Sequence, residues 1–253
     1  MEINRRTGRR CAIVVPCYNE SVRLDAAAFL AYAASHPEIQ FVFVNDGSKD
    51  DTIGVLRRMQ AADPSIEILD KSPNGGKAEA VRDGMRHALR MEGVAIVGFW
   101  DADLATPLEA IVDLLQTMET RAGIDIVIGS RVKLLGRQIE RKAVRHYLGR
   151  VFATFASLTL ELPIYDTQCG AKLFRVTSTL DQVLDKPFLS RWIFDVELIA
   201  RLVQAQPRSG KPVRDCLYEF PLQCWRDVPG SKLKSGDFLR AARELWQIRR
   251  EYF

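Results

Sequence analysis

In the first half of the chain, apolar and polar residues fall in blocks rather than alternating one by one. Short apolar runs at 11–18, 40–44, 65–69, 94–100 and 124–128 are each closed by turn residues, as expected of strands buried on both faces. Stretches of helical length lie between them, at 22–34 with Ser21 as a capping residue, from Asp50 or Asp51 to about Ala62, from the 72–77 turn to Met91, and from Pro107 to Glu119; Pro107 suits a first helical turn. Strands alternating with helices predict an α/β fold, a doubly wound, Rossmann-like and mostly parallel sheet flanked by helices. No repeat, low-complexity tract or linker interrupts the chain. The expected organisation is a basic arm at 1–10, one domain at 11–230 and an amphipathic helix at 231–253.

The second half has a different pattern. Val144, Tyr147, Leu148, Val151, Phe152 and Phe155 recur at helical spacing beside Arg141, Lys142, Arg145 and Arg150, and the chain then turns almost wholly apolar as VFATFASLTLELPI. Two roles fit: an interfacial helix with cations at lipid headgroups and rings in the acyl boundary, or a core helix covering the sheet. The segment 237–253 has Phe238, Leu239, Leu245, Trp246, Tyr252 and Phe253 among Arg240, Arg243, Arg249 and Arg250. It could share that surface, form a dimer or close the core, so an oligomer is compatible with it.

With 47% hydrophobic and 27% charged residues the chain is globular,. The net charge of +4 is concentrated in Arg5, Arg6, Arg9 and Arg10 and in the block from Arg131 to Arg150, which suits anionic partners or a solvated face. Apolar residues interleave the second block, which favours lipid over nucleic acid. No apolar stretch approaches the roughly 20 residues of a membrane span, and the N-terminus lacks the h-region of a signal peptide. Five cysteines without a C-x-x-C pair argue against a disulfide framework and for a reducing compartment,.

The candidate chemistry centres on VAIVGFWDAD, where an apolar strand runs into Asp101 and Asp103. Ligands of open α/β sheets collect at the carboxyl ends of strands. Two carboxylates there can share a hard cation such as Mg²⁺ that completes its shell with phosphate oxygens; a solvated acidic loop is the plain alternative. Other strand ends offer Tyr18 and Glu20, Asp46, Lys77 and Arg131. The first strand ends in P-C-Y-N-E, not the G-x-G-x-x-G of a dinucleotide site, and Asn74-Gly75-Gly76-Lys77 lacks Walker A spacing,. That turn could still bring backbone N–H groups and Lys77 to a phosphate.

In order, P-C-Y-N-E, V-N-D-G-S-K-D-D-T, N-G-G-K-A-E-A-V-R-D-G-M, D-A-D and G-S-R resemble the catalytic domain of family-2 inverting glycosyltransferases with the GT-A fold. Farther on, D-T-Q-C-G-A-K-L-F (166–174) and R-W-I-F-D-V-E (191–197) resemble the dolichyl-phosphate β-glucosyltransferase branch, whose K-G-G-A is here Lys77-Ala78-Glu79-Ala80. The resemblance implies a nucleotide-binding half at 11–131 and an acceptor half at 132–230. Pro16, Tyr18, Glu20 and Asp46, with Lys77, would hold the nucleotide; Asp101 would lie by its ribose and phosphates, and Asp103 would be the main ligand of Mg²⁺ or Mn²⁺. The implied reaction is inverting transfer from a sugar nucleotide, UDP-glucose before GDP-mannose, to a dolichyl or polyprenyl phosphate on the cytoplasmic membrane face. Such an acceptor needs cations, with Arg131 first and Arg137, Arg145, Lys172 and Arg175 after it. Asp166, Asp195 and Glu197 are the acids that could orient sugar hydroxyls or act as base. A glycan acceptor, or a non-catalytic nucleotide-binding module, are the alternatives.

Overall fold

The computed structural model describes residues 10–141, 143–205, 212–228 and 236–253. Arg5, Arg6, Arg9 and Lys142, and the side chains of Arg10, Val144, Arg145, Asp237 and Phe238, lie outside the described residues. The first half alternates as expected: β1 (Arg10–Cys17), α1 (Ala26–Ser35), β2 (Ile39–Asp46), α2 (Thr52–Ala62), β3 (Glu67–Lys71), α3 (Lys77–Ala88), β4 (Val94–Trp100), α4 (Ala110–Thr120) and β5 (Ile126–Ser130). The second half adds β6 (Gln138–Glu140), α5 (Ala143–Leu160), β7 (Ala171–Arg175), α6 (Ser178–Asp185), α7 (Phe194–Ala205), α8 (Val213–Cys216), β8 (Leu217–Pro221), β9 (Cys224–Arg226) and α9 (Gly236–Tyr252).

The main sheet runs β3-β2-β1-β4-β7-β5-β8, and β6 pairs with β9 beside it. Every pairing in the main sheet is parallel except those of β7, which lies antiparallel between β4 and β5. Successive strand residues point to opposite faces, so each strand feeds two cores. Val14, Val44, Val97, Phe99 and Phe174 pack under α3, α6, α7 and α9. Ile13, Val15, Phe41, Phe43, Trp100 and Leu173 pack under α1, α2 and α4. This three-layer burial explains why the strands read as unbroken apolar runs.

Helix α1 starts later than the sequence suggests. Asp25, not Ser21, caps it by accepting from Ala28 N–H at 3.0 Å. Both the N–H and the hydroxyl of Ser21 instead donate to Asp50, at 3.1 and 2.6 Å, which ties the loop after β1 to the loop after β2. Helix α5 covers the core with Ala156 and Leu160, which are buried, whereas Tyr147, Val151, Phe155 and Leu158 are exposed. Helix α9 is a core helix through Ala241, Leu245 and Ile248, with Leu239 and Trp246 facing out. Among the described residues no helix is long and apolar enough to cross a membrane.

Candidate active site

The carboxyl ends of β1, β2, β4 and β5 and the start of β7 meet at one edge of the sheet. On the β2 side, Asp46 is buried and its carboxylate is already engaged. Gly75 N–H donates to Oδ1 at 2.9 Å, while Gly76 N–H and Asn74 Nδ2 donate to Oδ2 at 2.7 and 2.8 Å. Asp46 therefore organises the 74–76 turn, and the turn's two glycine N–H groups are spent on it rather than left for a phosphate. Glu20 is likewise held, by Arg23 at 2.5 and 3.0 Å. Pro16 is half-buried in β1, and Tyr18 is the exposed member of the set.

The turn delivers Lys77 as the first residue of α3, and its ammonium lies 2.5 Å from Asp101 Oδ1. Burial pulls that ammonium down, but the charges of Asp101, Asp195 and Asp103 outweigh it and raise its pKa above the ordinary lysine value. Asp101 is fixed from the other side: its N–H donates to Gly170 O at 2.9 Å, and a Cβ on Gly170 would lie 2.0 Å from Asp101 Oδ2. Only glycine lets β7 approach that closely. Trp100 Nε1 donates to Thr106 O at 2.9 Å and closes the loop holding Asp103, whose Oδ1 accepts from Ala105 N–H at 3.1 Å. Burial, then the charge of Asp101, raises the Asp103 carboxyl against the pull of Ala105 N–H, Lys77 and Arg23.

This donor set fits a hard divalent cation. Two neighbouring carboxylates raise the cost of charging each other, and a dication removes that cost. Among the described residues no group of three or more His, Cys, Asp or Glu could hold a metal, so oxygens from a bound phosphate and water would have to complete the shell.

The remaining acids are paired. Lys172 is 0% exposed; its ammonium donates to Asp195 Oδ1 and Cys169 O, both at 2.5 Å, and lies 5.0 Å from the Phe99 ring centre. Lys172 thus positions Asp195 and is sealed from any acceptor. Asp166 accepts from Arg131 Nε, Nη2 and N–H at 2.6, 2.7 and 3.0 Å. Burial alone would raise the Asp166 carboxyl, but Arg131's charge and hydrogen bonds bring it down to about 2. A carboxylate that weakly basic is an anchor for Arg131, not a general base. Glu197 is fully buried and accepts from Leu189 and Ser190 N–H, Arg201 and Tyr252, which removes it as a base too.

Of the proposed acceptor cations, Arg175 is at the wrong end. Because β7 is antiparallel, Arg175 pairs with Ile96 while Ala171 pairs with Trp100, and four residues of strand separate it from the site, roughly 13 Å. Its guanidinium donates to Ile124 O and Met118 O. Arg137 does not line the pocket beside Arg131; its Nη1 is buried without a hydrogen-bond partner among the described residues. That pocket lies between α5 and the 165–168 loop and is lined by Arg131, Arg141, Arg150 and Tyr165. Arg141 forms no ion pair among the described residues; burial, then the charge of Arg131, pulls its pKa down. Arg150 caps Tyr165, its guanidinium 4.4 Å from the ring centre. Glu219 of β8 accepts Tyr165 and Asp166 N–H at 2.7 and 2.8 Å and fixes the loop. Glu219 was not among the expected site residues, and Arg141 and Arg150 were expected only as cations at lipid headgroups. The signal for Arg141 is Gly149, where a Cβ would lie 2.6 Å from Arg141 Nη2.

The profile of glycosyl transferase family 2 matches residues 12–180. The chain belongs to this family. As a family 2 glycosyltransferase it is 34% identical over 247 residues to the dolichyl-phosphate beta-glucosyltransferase ALG5C of Trichomonas vaginalis, covering 93% of this chain and 69% of that one. It is 30% identical over 265 residues to the dolichyl-phosphate beta-glucosyltransferase of Saccharomyces cerevisiae, covering 95% and 74%. Among solved structures it superposes on glucosyl-3-phosphoglycerate synthase of Mycobacterium tuberculosis in complex with UDP, with a TM-score of 0.62, 18% identity and coverage of 96% and 81%. It also superposes on mannosyltransferase PcManGT of Pyrobaculum calidifontis in complex with GDP-Man and Mn²⁺, with a TM-score of 0.62, 18% identity and coverage of 94% and 62%. These likenesses identify the fold as GT-A.

Proposed function

We propose that this glycosyltransferase inverts and transfers glucose from UDP-glucose to a dolichyl or related polyprenyl phosphate, with Mg²⁺ or Mn²⁺, on the cytoplasmic face of a membrane. One observation carries the reading: the Asp101–Asp103 loop and the pocket of Arg131, Arg141 and Arg150 open at the same sheet edge. An anionic donor and an anionic acceptor can be held side by side there by separate cations. The named substrates of the relatives supply the sugar and the lipid.

The nucleoside lies by Pro16 and Tyr18, with Asp46 acting through the turn it holds. Asp101 and Asp103 would hold the metal, which when bound would supply positive charge opposite the leaving diphosphate. Arg141 and Arg150 bind the acceptor phosphate, and Asp166 keeps Arg131 aimed along the pocket wall. An acceptor phosphate oxygen attacks the anomeric carbon as the carbon–oxygen bond to UDP breaks, and the electron pair leaves with UDP. A phosphate monoester has a second pKa of about 6 and is mostly a dianion at neutral pH. No proton has to be removed, which agrees with Asp166 and Glu197 being tied up. Asp195, held by Lys172 and near enough for its charge to act on Lys77, orients the sugar hydroxyls.

The prenyl chain belongs on α5. Phe155 and Leu158 are 58% and 65% exposed and continue the stripe of Tyr147 and Val151, while Gly149, Arg150 and Ala153 of the same helix line the phosphate pocket. One helix can therefore meet both headgroup and tail, as an interfacial helix does. The free thiols of Cys11, Cys17, Cys169, Cys216 and Cys224 suit a reducing compartment,.

The test is nucleotide release with Mn²⁺ or Mg²⁺, crossing UDP-glucose and GDP-mannose with and without dolichyl phosphate. UDP release that requires the lipid phosphate is expected. GDP release would overturn the sugar assignment, and release indifferent to the lipid would overturn the acceptor.

A further inference from the structure

Lys77 is unlike the other cations at this edge. Lys172 and Arg131 are buried and locked to Asp195 and Asp166, whereas the Lys77 side chain is 44% exposed and rests on Asp101, itself one-third exposed. Its backbone is rigid: Asp46 holds Gly75 and Gly76 immediately before it, and Ala78, Ala80 and Val81 are buried just after. A fixed base with a long, half-exposed stem lets the ammonium change partners by side-chain rotation alone. The partner it now holds is one of the two carboxylates that the proposed metal site needs.

We infer that Lys77 is an exchangeable counter-ion that couples metal binding to nucleotide binding. Without nucleotide, its ammonium neutralises Asp101 and opposes entry of a free divalent cation. When the cation arrives with a nucleoside diphosphate, the new phosphate oxygens give the ammonium another anion, and Asp101 is released to the metal. The two ligands then tighten each other by the same factor, because coupling between binding sites is reciprocal. The inference rests on Asp101 and Asp103 being the metal ligands.

The experiment is Mn²⁺ titration of the full chain, reading free Mn²⁺ by electron paramagnetic resonance, with and without UDP and corrected for the Mn²⁺–UDP complex in solution. Wild type, Lys77→Gln and Asp103→Ala are compared. A unit positive charge about 4–5 Å from a dication disfavours it by tenfold or more even in a water-like dielectric. Lys77→Gln should therefore bind Mn²⁺ alone about tenfold more tightly than wild type, and the gain from adding UDP should shrink. A residue with a merely structural role would not tighten metal binding when removed. Equal or weaker Mn²⁺ binding by Lys77→Gln, or an undiminished UDP gain, overturns the inference while leaving the metal site standing. Wild-type Mn²⁺ affinity in Asp103→Ala would remove the metal site and the inference together.

Discussion

Replacing Asp166 with Asn tests whether this acid anchors Arg131 or works as a base. Both partners are nearly buried, with side-chain exposures of 13% for Arg131 and 7% for Asp166. The carboxylate takes three hydrogen bonds from Arg131 and a fourth from Gln168 N–H at 3.2 Å. Removing one partner of such a buried pair leaves an uncompensated charge and costs about 3–5 kcal/mol. In a chain of this length each kcal/mol lowers Tm by about 2–4 °C, so a fall of about 10 °C is expected. The pH dependence follows from the Asp166 carboxyl, which lies at about 2 in the fold against 3.8 unperturbed. Its folded pKa is depressed, so the stabilisation, about 2 kcal/mol, is present above about pH 4 and is lost as pH falls toward 2. The stability gap between wild type and Asp166→Asn, read from denaturant midpoints, should be constant near neutrality and narrow below about pH 4. If Asp166 were the base instead, the variant would keep its Tm and lose the acidic limb of its pH–rate profile. That result would refute the anchoring role.

Three further outcomes are expected. Asp103→Ala should abolish Mn²⁺-dependent UDP release with an unchanged unfolding midpoint; since burial and Asp101 raise the Asp103 carboxyl, protons should begin to displace the metal at a higher pH than for an ordinary aspartate, as pH falls. Arg141→Gln should raise KM for the lipid phosphate about tenfold, the worth of one charge-assisted hydrogen bond, with KM for UDP-glucose unchanged; an unchanged lipid KM would take the acceptor out of the arginine pocket. Phe155→Glu, on the exposed stripe of α5, should lower retention on anionic lipid vesicles in a sedimentation assay and leave Tm intact, and undiminished retention would move the membrane contact elsewhere.

Most of the sheet is legible in the chain because strands covered on both faces must be apolar throughout, and Asp101 and Asp103 stand out as carboxylates that end such a run. Strand β7 is not legible in the same way. In A-K-L-F-R its lysine, the second residue, looks like a surface residue, yet Lys172 is fully buried because Asp195, 23 residues later, neutralises it. The antiparallel direction of β7, which puts Arg175 at the far end, depends on pairing with β4 and β5 rather than on any local pattern. The ion pairs share this difficulty: Arg131 and Asp166 are 35 residues apart, and each taken alone looks free to act on a substrate. Once the fold pairs them, the cations at the site differ in what they can still bind. Arg131 and Lys172 are locked by buried carboxylates and act through position. Lys77 is paired but half exposed, and Arg141 has no ion-pair partner among the described residues. That leaves Lys77 on the side of Asp101, and Arg141 with Arg150 in the pocket beside α5, for the two anionic substrates. A transferase that must bring two phosphates together needs its spare positive charge divided in this way, since a single shared cation would have to release one substrate to hold the other.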